Sequence, residues 1–217
     1  MKTNYAKLTA GLLVAWFTFS LVASGVHLFR NEPPYPPLAL LLAALTPIVV
    51  FSVWYRISTP FKDFVLSLNP RMVTLLHAWR VAGFAFVALY TYRILPGLFA
   101  LPAGWGDIAI GATAPFVAFK LASADHKKTF VLWQFLGMTD LVLAVSLGAL
   151  AQFINPQPLG GPHGITAAPM TVLPLSVIPT FGVPLLFILH LISIAQARRW
   201  TDEAYLQVVE PARSVAA

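Results

Sequence analysis

No cysteine occurs among the 217 residues, only eight residues are acidic, and charged residues make up 10% of the chain. The missing thiols exclude disulfides, thiolate metal sites and iron–sulfur clusters, and leave the redox compartment unread. The shortage of charge excludes an ordinary soluble surface: with a mean hydropathy of +0.76, a water-soluble domain of this size exposes too much apolar area. A Walker-type glycine loop, a Gly-x-Ser-x-Gly elbow and a His-Glu-x-x-His helix are also missing. Nucleotide-driven and hydrolytic chemistry therefore lack their usual parts, and the sequence leans away from an enzyme.

What fills the chain instead is apolar runs of about 20 residues, the length that matches a hydrocarbon core of about 30 Å. They predict an all-α integral membrane protein, a six-span bundle with spans at 8–29, 38–55, 72–95, 105–122, 129–154 and 172–197. Residues 1–200 form a single transmembrane domain, and 201–217 a polar cytoplasmic tail. The 14 basic residues orient it: Lys2, Lys7, Arg56, Lys62, Arg71, Lys120, Lys127, Lys128, Arg198, Arg199 and Arg213 fall on one side, Arg30 and Arg93 on the other, and Arg80 inside a span. Because Lys and Arg are retained on the cytoplasmic face, both termini are expected there. The formal charge of +6 is spread singly over helix ends, a pattern for anionic lipid and not for nucleic acid.

The first span resembles a signal peptide at Val22-Ala23-Ser24-Gly25, but its apolar run continues past Val26 to Phe29, longer than a signal core. Between spans 2 and 3, Phe61, Phe64, Val65 and Leu68 oppose Lys62, Asp63 and Ser67. With Thr59 as cap and Pro60 in the first turn, 60–68 reads as an amphipathic helix lying on the membrane surface. The Gly- and Pro-rich stretch from Pro96 to Gly106 reads as an irregular external connection, and Asn155 to Thr171 as an irregular loop.

Charged side chains within a span cost at least about 2.5 kcal/mol, so those present mark the candidate site. Arg80 and Asp140 lie at depths from which a long side chain can bridge them, and an Arg80–Asp140 ion pair is the leading expectation. Thr74, His77, Arg80 and Gly83 form one stripe, Gln134, Gly137 and Asp140 a second, His190 and Ser193 a third. Together Arg80, Asp140, His77, His190 and Gln134 suggest a polar cavity in the inner half of the bundle, suited to a proton relay, an ion pathway or packing alone. On this reading Asp140→Asn harms stability more than Arg80→Leu, because guanidinium cannot shed its charge. The same His77 and His190 offer an alternative as axial ligands of a b-type haem; otherwise no cofactor or metal is expected.

Toward the outer side, Asp107, Arg93 and His27 make a second candidate polar site, and Asp107 doubles as the expected N-cap of span 4. Gly104-Trp105-Gly106-Asp107 matches the Gly-x-Gly-Asp motif of intramembrane aspartyl proteases, but Asp140 follows it where those enzymes need a preceding acid. Gly111, Ala114 and Ala118 offer a small-residue face to a second copy or a membrane partner.

The segment Leu95-Pro96, Phe99-Ala100-Leu101-Pro102-Ala103-Gly104-Trp105-Gly106-Asp107, Gly111 and Ala114-Pro115 resembles a signature of uncharacterised bacterial multi-span inner-membrane proteins. That resemblance implies a multi-pass protein of the bacterial inner membrane, with Arg80 in one span matched to Asp107 opening the next, and implies no activity. Asp107 and Asp140 thus compete as partners of Arg80. For function the sequence favours proton, ion or small-solute transport through the inner-half cluster, with a non-transporting accessory subunit as the alternative.

Overall fold

The computed structural model describes residues 2–31, 35–151 and 164–214, with side chains placed for 5–31, 35–151 and 164–200. Among these residues every regular element is helical: α1 (Lys2–Gly25), α2 (Leu38–Ile57), α3 (Thr59–Leu66), α4 (Pro70–Leu75), α5 (Phe84–Thr91), α6 (Gly97–Phe116), α7 (Lys127–Leu150) and α8 (Val183–Ser214). A 3-10 helix, Leu76–Gly83, joins α4 to α5 without a break, and π-helical turns at Val117–Leu121 and Ile178–Gly182 extend α6 and introduce α8. The loop read at 155–171 lies outside the described residues as far as 163.

Five stretches are long and apolar enough to cross a membrane: Tyr5–Gly25, Leu38–Ile57, Pro70–Thr91, Ala124–Leu150 and Ile178–Trp200. By helix composition this is a multi-pass membrane protein in contact with lipid. Of the six spans read from sequence, the one outside this set is span 4. Its helix, α6, has 20 residues but carries glycines, prolines and Asp107 among them. It also starts at Gly97, so most of the irregular connection read at Pro96 to Gly106 is helix. Phe99, Ala100 and Ala103 pack there with Leu95, Ala151, Ala167 and Met170 into a closed apolar cluster, and that burial overrides the poor local propensity. At the other end of the chain, helical backbone continues in α8 to Ser214, through the segment read as a polar tail.

Three contacts gather the basic ends. Gln196 Nε2 donates to the carbonyls of Leu68 and Val65 at 2.7 and 3.4 Å, Lys127 Nζ reaches the Arg198 carbonyl at 3.5 Å, and Phe130 meets Trp200 with ring centroids 5.0 Å apart. The short helix α3 is seated here as its amphipathic pattern requires. Phe61 and Val65 are buried, Phe61 stacks on Trp54 at 3.9 Å, and Lys62 and Asp63 face outward. Its cap is Ser58, whose hydroxyl accepts from the Phe61 N–H, and not Thr59, which is the first helical residue.

Helix α1 is tied on by a proline's deficit. Pro184 has no N–H to offer the Thr180 carbonyl one turn earlier, and that carbonyl instead accepts from Trp16 Nε1 at 3.0 Å and Ser20 Oγ at 3.3 Å. His27 and Arg93 have a structural part at the opposite end. Both sit at positive φ, 61° and 58°, just past α1 and α5. The next N–H in each case folds back onto the last turn, Leu28 to Ala23 and Ile94 to Leu89, both at 2.9 Å. These are left-handed helix terminators of the kind glycine usually supplies.

The small-residue face is used inside the chain. Ala114 and Ala118 are fully buried, and a side chain on Gly111 meets the backbone of Arg80 and Val81, so α6 and the 3-10 helix touch backbone to backbone. The partner surface read from Gly111, Ala114 and Ala118 is therefore already occupied.

Antiparallel alternation places position 35 before α2 and position 125 before α7 at opposite ends of the bundle. In this cysteine-free chain, Tyr35→Cys and Asp125→Cys should react with a membrane-impermeant maleimide from opposite faces. Labelling of both from the same face would break the arrangement.

Candidate functional site

The 3-10 helix is the element that builds the site. In an α-helix residues three apart drift around the axis by about 60° per step. At three residues per turn they eclipse. His77, Arg80 and Gly83, all buried, therefore line up on one edge of Leu76–Gly83, while Trp79 between them is 77% exposed toward lipid. A run of eight residues is long for this helix type, whose hydrogen-bond geometry is poorer. The alignment it gives buries every polar group of the stripe at once.

Arg80 is the hub. Its Nε donates to Asp107 Oδ1 on α6 at 2.7 Å. One terminal nitrogen donates to Asp140 Oδ2 on α7, and the other donates to the Gly137 carbonyl and lies against His190 Nε2, each at 3.2 Å. The guanidinium side chain is 0% exposed and each carboxylate 17%. The competition between Asp107 and Asp140 is thus resolved by pairing with both. Asp107 is not a helix cap: it lies in the interior of α6, whose cap position is Pro96. That inward placement separates it from Arg93 and His27, which are exposed in the terminators of α5 and α1.

Around the ion cluster stands a second layer. His190 Nδ1 and Gln134 Oε1 are 2.5 Å apart. His77 stacks on His190 with centroids 3.9 Å apart and meets the edge of Trp133 at 5.7 Å. Trp133 Nε1 in turn donates to Thr113 Oγ1 at 2.9 Å. Face-to-face imidazoles this close leave no space for a macrocycle between them, so the bis-histidine haem alternative does not fit. Among the described residues no group of three or more His, Asp or Glu is arranged to hold a metal ion.

Two glycines make the cluster sterically attainable. A Cβ on Gly106 falls on the Asp140 carboxylate, and one on Gly137 falls on the His190 ring and 3.3 Å from the Arg80 guanidinium. Trp133, Thr113 and Gly106 were not singled out from sequence as members of the site. Gly106 was visible, but only as part of a protease-like motif. That motif's chemistry is not assembled, because Asp107 and Asp140 share a guanidinium between them.

The charges do not balance. One guanidinium against two carboxylates leaves one negative charge in the cluster unless it holds a proton or meets a cation. A chain of buried polar atoms leads away from it. His77 Nδ1 and Nε2, Gln134 Nε2, Ser193 Oγ and Gln196 Oε1 find no hydrogen-bond partner among the described residues. His190, Ser193 and Gln196 share one face of α8, running from Arg80 toward the basic end where Gln196 bonds Leu68. On the other side of the cluster, Leu95, Phe99 and Ala100 pack into an apolar layer, beside which a narrow cavity of about 60 Å³ lined by Phe99, Gly148 and Met170 reaches Asp107.

The chain belongs to the family described as a domain of unknown function (DUF8737), which matches residues 36–198. The match takes in every member of the cluster and leaves out α1. Neither the curated proteins nor the solved structures hold a match.

The double pairing changes the expected mutational pattern. Asp107→Asn or Asp140→Asn alone leaves the arginine one carboxylate and removes the excess charge, so each should cost at most about 1 kcal/mol in detergent melts. The double Asp→Asn change strands the guanidinium and should cost roughly 3 kcal/mol or more. The non-additivity is the readout; simple additivity would mean that the two carboxylates do not share Arg80.

Proposed function

We propose that this chain is a proton-conducting membrane protein in which the Arg80–Asp107–Asp140 cluster binds a proton and the polar seam along α8 supplies it. The single observation that carries the reading is the seam. Buried polar atoms without protein partners are costly and are normally satisfied by ordered water. Five such atoms, on His77, Gln134, Ser193 and Gln196, belong to the cluster and to the face of α8 that runs from it to the basic end; the others are on Thr9, Ser24 and Ser176. Water bridging His77, Ser193 and Gln196 would make a half-channel, and the apolar layer around Leu95 and Phe99 a barrier across much of the rest of the span. His190, between Gln134 and Arg80, orients the guanidinium: its Nε2 accepts from Arg80, which does not give up its proton, and its Nδ1 donates to Gln134 Oε1.

On the positive-inside rule we read the basic end as the cytoplasmic one, with the seam's mouth and both termini there; a bacterial inner membrane is the location that the resemblance carried by Leu95 to Pro115 implies. Arg80, Asp140, His77, His190 and Gln134 then form the working site together with Asp107. The 3-10 stretch is the element that shifts when the proton arrives, because one rotation toward α-helical winding moves Arg80 relative to both carboxylates.

A second reading, a non-transporting accessory subunit, draws on the bonding of Arg80: its guanidinium already bonds α6 and α7, lies against His190 of α8 and acts as a staple. Flux separates the two. In liposomes carrying an internal pH dye and driven by a potassium diffusion potential, wild type should acidify the lumen faster than protein-free vesicles. Ser193→Val, which dries the seam without touching the ion pairs, should reduce the rate about tenfold, less than the roughly 10²–10⁴ contributed by a positioned general acid or base because the serine only holds water. Wild-type vesicles no leakier than empty ones would favour the staple.

A further inference from the structure

A cavity of about 550 Å³ lies against the cluster on the side away from the seam. It is walled by Phe17 of α1, Trp79, Phe86 and the segment from Phe181 to Leu189, and its polar floor is made by Arg80 and Asp107. That volume suits a small organic molecule, and the wall is almost wholly apolar. Trp79 and Phe17 at its edge are exposed on the lipid-facing surface, so access is sideways from the bilayer.

What such a molecule meets at the floor is decided by which charge is presented. The Arg80 guanidinium is enclosed, and four of its five N–H donors are engaged by Asp107, Asp140, Gly137 and His190. Asp107 is partly open and commits one oxygen, Oδ1, to Arg80; no hydrogen bond to its second oxygen is made by the described residues. With both carboxylates ionised, the cluster carries one excess negative charge. A carboxylate or phosphate head group entering here confronts Asp107 in a medium of low dielectric and is repelled. A protonated amine is attracted by the same field and supplies the missing positive charge.

We propose that this cavity is a binding site for lipophilic amines, molecules with a compact apolar body and one ammonium group, held by Asp107 at its floor. The site is reached from the membrane and does not require that the chain conduct protons, so binding and flux are separable properties.

Three ligands with one apolar cage and different heads isolate the charge term: 1-adamantylamine, 1-adamantanol and 1-adamantanecarboxylate. They are added in turn to the full chain in nanodiscs of zwitterionic lipid, and thermal unfolding is followed at neutral pH. The amine should raise Tm in a saturable, concentration-dependent way, the alcohol less, and the acid not at all. Asp107→Asn should erase the preference for the amine. Because that change also touches the ion cluster, Gly182→Leu is the independent control. Gly182 lines the cavity and a Cβ there meets nothing within 4 Å, so the backbone admits a side chain at this position. It should leave the ligand-free Tm unchanged and weaken the amine's apparent affinity at least about tenfold, a loss of about 1.4 kcal/mol. Equal shifts from all three ligands, no shift from the amine, or an amine shift undiminished in Gly182→Leu would each overturn the assignment.

Discussion

A guanidinium in the middle of a bilayer-spanning bundle must be answered from every side, and Arg80 is answered by α6, α7 and α8 together. This one requirement orders much of the rest. Leaving an arginine unpaired in hydrocarbon costs several kcal/mol at the least, and it cannot neutralise itself by losing a proton. The helices carrying Asp107, Asp140 and His190 are thereby fixed in rotation as well as position. Glycine appears where these groups must pass: Gly106 under the Asp140 carboxylate and Gly137 under the His190 ring. Lipid supplies no hydrophobic drive between helices, so close backbone approach and polar bonds of this kind are what hold such a bundle together.

The bundle is unlike at its two ends for a reason that follows from its side chains. One end is built on Leu95, Phe99, Ala100, Ala103 and Met170, an apolar cluster, with Ser24, Thr171 and Ser176 also buried toward that end. Between the Arg80 cluster and the basic end, α4 and the 3-10 helix face α8 with Thr74, His77, His190, Ser193 and Gln196 buried between them. Apolar packing excludes water, whereas polar atoms lacking protein partners invite it. The asymmetry is thus a property of packing and does not depend on any assignment of activity.

How much of this was legible in the sequence follows the strength of each local signal. Arg80 and Asp140 stood out because charge in an apolar run is costly and rare, and depth counting brought them together. His77, His190 and Gln134 followed from three-residue spacing on the same stripes. Asp107 was misjudged because glycine and proline around it read as a turn, whereas burial of Phe99, Ala100 and Ala103 draws 97–106 into helix and carries Asp107 to the depth of Arg80. The same signal misplaced the surface on Gly111: small residues announce a close approach but not which helix makes it. His27 and Arg93 looked like site residues because they are polar and outward, and only backbone dihedrals reveal them as left-handed terminators. A 3-10 winding through Leu76–Gly83 had no composition cue, since that stretch holds no proline and its polar residues fit an α-helical stripe as well.

The second carboxylate is the feature that a purely structural account explains least well. One aspartate is enough to neutralise Arg80, and adding another to a buried site raises the electrostatic cost unless one carboxyl stays protonated or a cation joins the cluster. The proposed routes to it are two, the polar seam from the basic end, which meets Arg80 through His190, and the apolar cavity from the lipid side, whose floor includes Asp107. If a proton arrives by the first and an ammonium group by the second, each satisfies the single negative charge that the other needs. By thermodynamic linkage their occupancies then oppose one another to the same extent in both directions. Arg80 is what makes that competition possible, because by cancelling one of the two carboxylate charges it leaves room for one cation and no more.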